Sequence, residues 1–237
     1  MNTGNRFYRD NDSNHKWLTQ TIKVDNTDLL IRSKKDVFTL AKNEVIKLRL
    51  VIQEHINTYN RFIHSLKPLS IPNNTTEIVH NMYKAGEKAQ VGPMASIAGA
   101  IAESLGRELL KHTDEIIIEN GGDIFLLINS KVFISIFPGN SHFSMPLIIS
   151  IDPSLTPCGI CTSSSRIGTS LSFGKADSVT IISKDTAYAD ALATGVCNEI
   201  TNSESLHTSI EKLKNNNSIL GACIIYKDKL AACGSIE

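Results

Sequence analysis

Residues 115–129 read Glu115-Ile116-Ile117-Ile118-Glu119-Asn120-Gly121-Gly122-Asp123-Ile124-Phe125-Leu126-Leu127-Ile128-Asn129. Two runs of β-branched, aliphatic and aromatic residues flank an Asn-Gly-Gly-Asp bend. That composition predicts two strands, over 115–119 and 124–129, joined by a tight turn. Asn-Gly and Gly-Gly suit such a turn because they accept positive φ. A second reading of the bend stands beside the first. Two glycines clear side chains away so that backbone amides meet a phosphate or a flat ring, and Asn120 and Asp123 supply directed hydrogen bonds.

Downstream, 132–137 and 147–151 extend the run of strands. Residues 152–170 are rich in Ser, Thr, Gly and Pro and are expected to be a long irregular segment, where sites are often carried. A strand at 179–182 precedes a helix over 186–200 capped by Asp185. A helix over 203–214 follows, then a closing hairpin, 222–226 and 230–233, around Lys227-Asp228-Lys229. Upstream, Ile22, Val24, Leu29 and Ile31 alternate with polar neighbours, which predicts a hairpin over 17–32 with its turn at Asp25-Asn26-Thr27-Asp28.

Asp36 is placed to cap a long helix in which Val37, Ala41, Val45, Leu48, Ile52 and Ile56 recur every three or four residues. That stripe reads as core packing. A loop over 68–76 leads to a helix over 76–90. Gly92-Pro93 opens another, with proline in its first turn. Its apolar face is Ile97, Ile101, Leu105 and Leu109. A neighbouring face, with Ala95, Ala98, Gly99, Ala102 and Gly106, admits a close backbone or a flat ligand. Hairpin, helices, strands, helices and hairpin, in that order, predict an α+β fold with helices layered on one face of an antiparallel sheet. Residues 1–16 are polar and expected to be flexible, and 17–237 are expected to form a single domain.

Lysine plus arginine and aspartate plus glutamate number 24 each in 237 residues, so the formal charge is zero. That balance gives no long-range attraction to nucleic acid or to an anionic membrane. The first ten residues lack the apolar core of a secretory signal, and no apolar run reaches the roughly 20 residues that cross a bilayer. A cytoplasmic location is the expectation. Five cysteines, with one lone Cys158-Gly159-Ile160-Cys161 pair and no second pair or histidine pair nearby, read as free thiols.

Four segments carry residues suited to chemistry. Asn120, Gly121, Gly122 and Asp123 are the first. Asp190 and Thr194 lie four apart on one helix face, half of an oxygen site for a hard cation such as Mg2+. The alternative is a solvated Asp and a Thr bonded to its own backbone. Gly92, Pro93 and Met94 begin a helix whose free amides favour anions, or simply begin a helix. Thr162, Ser163 and Ser164 offer hydroxyls to a phosphate or form a polar loop.

In order along the chain, Arg61–Leu69, Val91–Glu103, Glu119–Asp123, Cys161–Ser164, Ser170–Asp177 and Ala189–Thr194 together resemble the uncharacterised branch of the ApbE-like proteins, related to FAD:protein FMN transferase. The resemblance implies a duplicated T-fold-like α+β unit. It implies FAD or FMN beside Asn120 to Asp123, and Mg2+ held at the pyrophosphate by Asp190 and Thr194. The activity it implies is cleavage of FAD with passage of FMN to a protein hydroxyl, or binding without cleavage in an accessory role in sulfur (homocysteine) assimilation. Two places depart from the pattern. Ala98 stands where the transferase has lysine, and Ser165 and Thr169 stand where the branch commonly has glycine and histidine. A flavin or other nucleotide is the expected small-molecule partner. The sequence leaves open a homo-oligomer and names no protein acceptor.

Overall fold

The computed structural model describes residues 17–136, 147–165 and 174–236. The segment 1–16, Thr169 and Ser170 to Phe173 of the sequence motifs lie outside the described residues.

The first hairpin is β1 (Leu18–Val24) and β2 (Thr27–Ser33), closed by Asp25-Asn26 with Asp25 at φ 49. Then come α1 (Phe38–Thr58), the single turn α2 (Arg61–His64) and α3 (Glu77–Ala89). The Asp36 carboxylate accepts from the Phe38 amide at 3.1 Å, which anchors the start of α1. A 3-10 turn over Pro93–Ser96 runs into α4 (Ile97–Leu109). Strands β3 (Ile116–Asn120) and β4 (Asp123–Leu127) form the hairpin read from residues 115–129. Its two-residue loop holds Gly121 at φ 68 and Gly122 at φ 108. A Cβ added to either glycine would meet nothing within 4 Å, so the turn needs glycine for its backbone angles and not for close approach.

A small hairpin, β5 (Val132–Ile136) and β6 (Leu147–Ile151), stands apart from the main sheet. The chain returns through β7 (Cys158–Ser163), β8 (Ser178–Ser183), α5 (Thr186–Glu199), α6 (Ser203–Lys214), β9 (Gly221–Tyr226) and β10 (Lys229–Gly234). Asp185 caps α5 by accepting from the Tyr188 amide at 2.8 Å.

Eight strands make one antiparallel sheet in the order β1-β2-β3-β4-β7-β8-β9-β10. The same plan occurs twice: hairpin, helices, hairpin from β1 to β4, and again from β7 to β10. The halves join where β4 pairs with β7, Ile124 opposite Ile160 and Leu126 opposite Cys158. The helices cover one face, burying Leu29, Ile31, Ile116, Ile118 and Phe125 beneath α1, α3 and α4, and Val179, Ile181 and Ile224 beneath α5 and α6. The β5–β6 hairpin packs on the other face against Leu126, Ile128, Ile160 and Ile182.

Strand β7 corrects the expectation of an irregular segment over 152–170. Its residues are buried apart from Thr162, which is partly exposed, so no polar alternation marks it. It is also made of small residues for a reason. A Cβ on Gly159 would lie 2.6 Å from Thr186 at the start of α5. The helix rides directly on the strand, and only glycine permits that spacing. The five cysteines are free thiols, as expected, and four of them are buried.

Candidate functional site

The helices of the first half and α5 of the second enclose a cleft of about 410 Å3 across the ends of β2, β3, β4 and β7. Three strand spacings separate β2 from β7, about 14 Å. One wall is aliphatic: Ile52 and Ile56 of α1, Ile63 of α2, Met94, and Ile97 and Ile101 of α4. The stripe on α1 therefore serves the core along most of its length and a cavity at its end. The other wall is polar, with Asn120, Asp123, Ser163, Asp190 and Thr194.

The polar wall is locally determined. Asp190 reaches from α5 to the start of α4, where its Oδ2 accepts from the Gly99 amide at 2.8 Å, and the Ala98 amide donates to it as well. These are first-turn amides with no partner inside their own helix, and a carboxylate satisfies them. Gly99 makes the approach feasible, since a Cβ there would stand 2.9 Å from the Asp190 Cβ and 2.6 Å from the Thr186 carbonyl oxygen. The small face of α4 is thus a seam for α5. Asn120 donates through Nδ2 to the Ala98 carbonyl at 3.1 Å, tying the turn to the same helix start. Asp123 accepts from the Thr162 amide at 3.2 Å and from the Cys161 thiol.

The electrostatics are those of two acids held out of water. Burial raises the Asp123 carboxyl well above its ordinary range, and the nearby Asp190 carboxylate raises it further. Burial likewise raises Asp190, with the Gly99 and Ala98 amides acting in the opposite direction. The Cys161 thiol is pushed up by burial and then by both carboxylates. Two carboxyls and one basic side chain, Arg49, line the cleft. A bound cation is what would let both acids ionise.

The hydroxyl of Thr194 is one turn from Asp190. It makes no side-chain hydrogen bond among the described residues and is only 7% exposed. It does not bond its own backbone, the usual arrangement for a helical threonine. Among the described residues, no group of three or more His, Cys, Asp or Glu side chains is arranged so that it could hold a metal ion by itself.

Of the residues singled out in the sequence, Met94, Asn120, Gly121, Asp123, Thr162, Ser163, Ser164, Asp190 and Thr194 line this one cleft. Gly122, Gly92 and Pro93 do not. The Gly122 amide donates to Glu119 Oε1 at 2.7 Å. Gly92 packs its backbone against the Ser65 carbonyl, and Pro93 is buried in the 3-10 turn. The α4 amides best placed to attract an anion are the ones Asp190 already fills. Sequence reasoning missed Arg49 and Gln53, which flank the aliphatic stripe of α1 and line the cleft at its β2 end. Their spacing of four, next to Ile52 and Ile56, was the available signal.

The family model described as AbpE bacteria matches residues 11–228. A UPF0280 protein of Methanocaldococcus jannaschii is 37% identical over 226 residues, 93% of this chain and 92% of its own length. A UPF0280 protein of Methanobrevibacter smithii is 36% identical over 198 residues, 81% of this chain and 83% of its own. Among solved structures, the flavin transferase ApbE from Vibrio cholerae superposes with a TM-score of 0.57 at 15% identity, covering 92% of this chain and 97% of that one. The apo Pseudomonas stutzeri flavinyl transferase ApbE superposes with a TM-score of 0.59 at 10% identity, covering 93% and 94%. The fold is shared with these transferases. No helix among the described residues is long and apolar enough to cross a membrane.

Proposed function

This chain belongs to the AbpE bacteria family, and on that premise we propose that it binds a flavin nucleotide in the cleft, with Mg2+ at the Asp190 end. The observation that carries the reading is the meeting of two distant acids. Asp123 and Asp190 share the floor of one cavity, close enough for one to raise the other, with the open hydroxyl of Thr194 beside them.

Asp190 and Thr194 are hard oxygen donors, and Asp123 borders them. The protein supplies few ligands, so phosphate oxygens and waters complete the shell of a Mg2+ ion. Bound there, the metal neutralises the charge of a diphosphate that two carboxylates alone would repel. The aliphatic wall of Ile52, Ile56, Met94, Ile97 and Ile101 accepts the face of a ring system. Asn120 and Asp123 hold the polar edge of the turn against it.

Titrating full-length protein with FMN or FAD, with and without Mg2+, tests this. Quenching of flavin fluorescence that strengthens with Mg2+ is the expected result. A flat curve in both conditions removes the reading.

The family's likeness in fold to flavin transferases supports a second reading, Mg2+-dependent FAD cleavage or FMN transfer to a protein hydroxyl. The intact Asp190/Thr194 pair favours it, and Ala98 in place of the transferase lysine favours binding without turnover. Incubation with FAD and Mg2+ followed by chromatography separates the two, because AMP and FMN appear only under the second. A part in sulfur (homocysteine) assimilation belongs to the same proposal. A gene-deletion strain that grows normally on inorganic sulfur would remove it.

A further inference from the structure

Building on the flavin reading, we propose that Arg49 and Gln53 form a subsite for the imide edge of a planar heterocycle, a carbonyl beside a ring N–H. The two side chains line the cleft, and Arg49 is tied to Asp25 and Thr27 where β2 begins. Three strand spacings, about 14 Å, separate that end from β7. A diphosphate at Asp190 therefore leaves the β2 end to whatever the ring presents.

The donors and acceptors already used define what is left. Arg49 Nη1 donates to Thr27 Oγ1 at 2.5 Å and Nη2 to Asp25 Oδ2 at 3.1 Å, so the guanidinium is fixed to the first hairpin. Its Nε–H has no partner among the described residues. Gln53, one turn further along α1, donates through Nε2 to Asn57 Oδ1 at 3.0 Å. Its Oε1 accepts nothing among the described residues.

Arg49 and Gln53, a helical turn apart, both line the cleft, and each keeps one group unused among the described residues, a donor on the first and an acceptor on the second. An imide edge supplies the matching acceptor and donor, and the pyrimidine-dione end of oxidised flavin has that edge. A phosphate has acceptors only, and Gln53 Oε1 would oppose it. Charged hydrogen bonds of this type are among the stronger ones.

The probes are riboflavin and 3-methylriboflavin, which lack phosphate and differ only at the ring N–H. They are titrated against full-length protein by fluorescence. The wild-type protein should prefer riboflavin by about tenfold. Gln53→Leu, at an exposed position on the rim, should bring that preference close to one. Arg49→Met should weaken both probes about tenfold. Asp25→Ala removes one of the two ties on the guanidinium and should keep the preference.

Equal affinity of the wild-type protein for the two probes overturns the subsite, as does a preference that survives Gln53→Leu. So does an Arg49→Met variant that weakens FMN while leaving riboflavin unchanged, because the guanidinium would then serve a phosphate. A wild-type protein that binds neither FMN nor FAD defeats the underlying flavin reading, which is a different result from binding FAD without discriminating at the ring edge. A thermal melt of each variant separates lost binding from lost fold.

Discussion

The first half of the sheet carries four α-helices between its hairpins, whereas the second carries two, and the cleft lies where that difference falls. The extra helices of the first half give the aliphatic wall and Arg49. The second half gives oxygen: Asp190 and Thr194 on α5, and the hydroxyls at the end of β7. Neither half encloses the site alone. A repeated plan became a binding cleft because its copies were elaborated differently and then locked together at a seam of small residues. Breaking that seam should therefore have the largest effect. Gly99→Val pushes a branched side chain from α4 into α5, where even a Cβ would sit 2.6 Å from the Thr186 carbonyl oxygen. Overpacking of this kind costs about 3 kcal/mol, and a melt of the variant should fall accordingly. Flavin affinity should fall with it, since α5 carries Asp190. An unchanged melting temperature would mean that the halves do not meet as tightly as described.

The next effect sharpens the contrast between an apolar wall and an acidic one. Asp190 in the folded chain titrates at about 7, raised chiefly by burial. An unfolded Asp titrates near 4. Between these values the folded chain binds more protons than the unfolded one, so stability falls as pH rises through that window and levels off above it. The metal-free protein should melt at a higher temperature at pH 5 than at pH 8. Mg2+ should restore stability at pH 8 and do little at pH 5, where protons compete. Asp190→Asn should raise the stability of the metal-free protein at pH 8 by about 2 kcal/mol and abolish the response to Mg2+. A variant that loses stability at pH 8 would show that the carboxylate is held ionised by its amide partners instead.

How much of this was legible beforehand divides along the same line. Periodicity found the first hairpin, α1, α3, α4 and α6, because each buries one face and wets the other, whereas α5, buried on nearly every side, was marked by its Asp185 cap and the closing hairpin by its Lys227-Asp228-Lys229 turn. It failed at β7. There Gly159, Cys158 and Cys161 are buried, and smallness under α5 replaced the alternation that marks a strand. Without β7 the sequence showed two sets of strands, and with it they became one sheet. At the site, Asp190 and Thr194 were visible as a pair four apart on one helix. Their meeting with Asp123 was expected from the family resemblance and not from spacing, because it depends on Asp190 filling the amides at Ala98 and Gly99 from another element. Arg49 was hidden for a different reason. It borders a stripe that reads as core, and only the fold shows the stripe running out into a cavity.

The turn at Gly121-Gly122 gives a smaller test. Both residues have positive φ, and the space around them is open. Gly121→Ala should cost about 1 kcal/mol through its backbone angle. It should leave flavin affinity nearly unchanged, because no ligand or neighbour needs the missing Cβ. A large loss of affinity with a normal melt would instead favour the reading in which the glycines clear room for a ligand.

The smallest expected effect bears on the charge of the cleft. Ala98 lines it, and its carbonyl, which accepts from Asn120, does not depend on the side chain. Ala98→Lys should change stability by a few tenths of a kcal/mol, since both residues favour helices. It adds a second basic group to a cavity that holds two carboxyls and Arg49. Affinity for FMN measured calorimetrically in the presence of a chelator should therefore rise by a few fold, on the order of what a partly screened ion pair contributes. The gain should shrink when Mg2+ is added, because metal and lysine answer the same need for positive charge near the phosphate. Unchanged affinity in the chelator would mean that the phosphate lies away from residue 98, and the case for a cation beside Asp190 would lose its electrostatic ground.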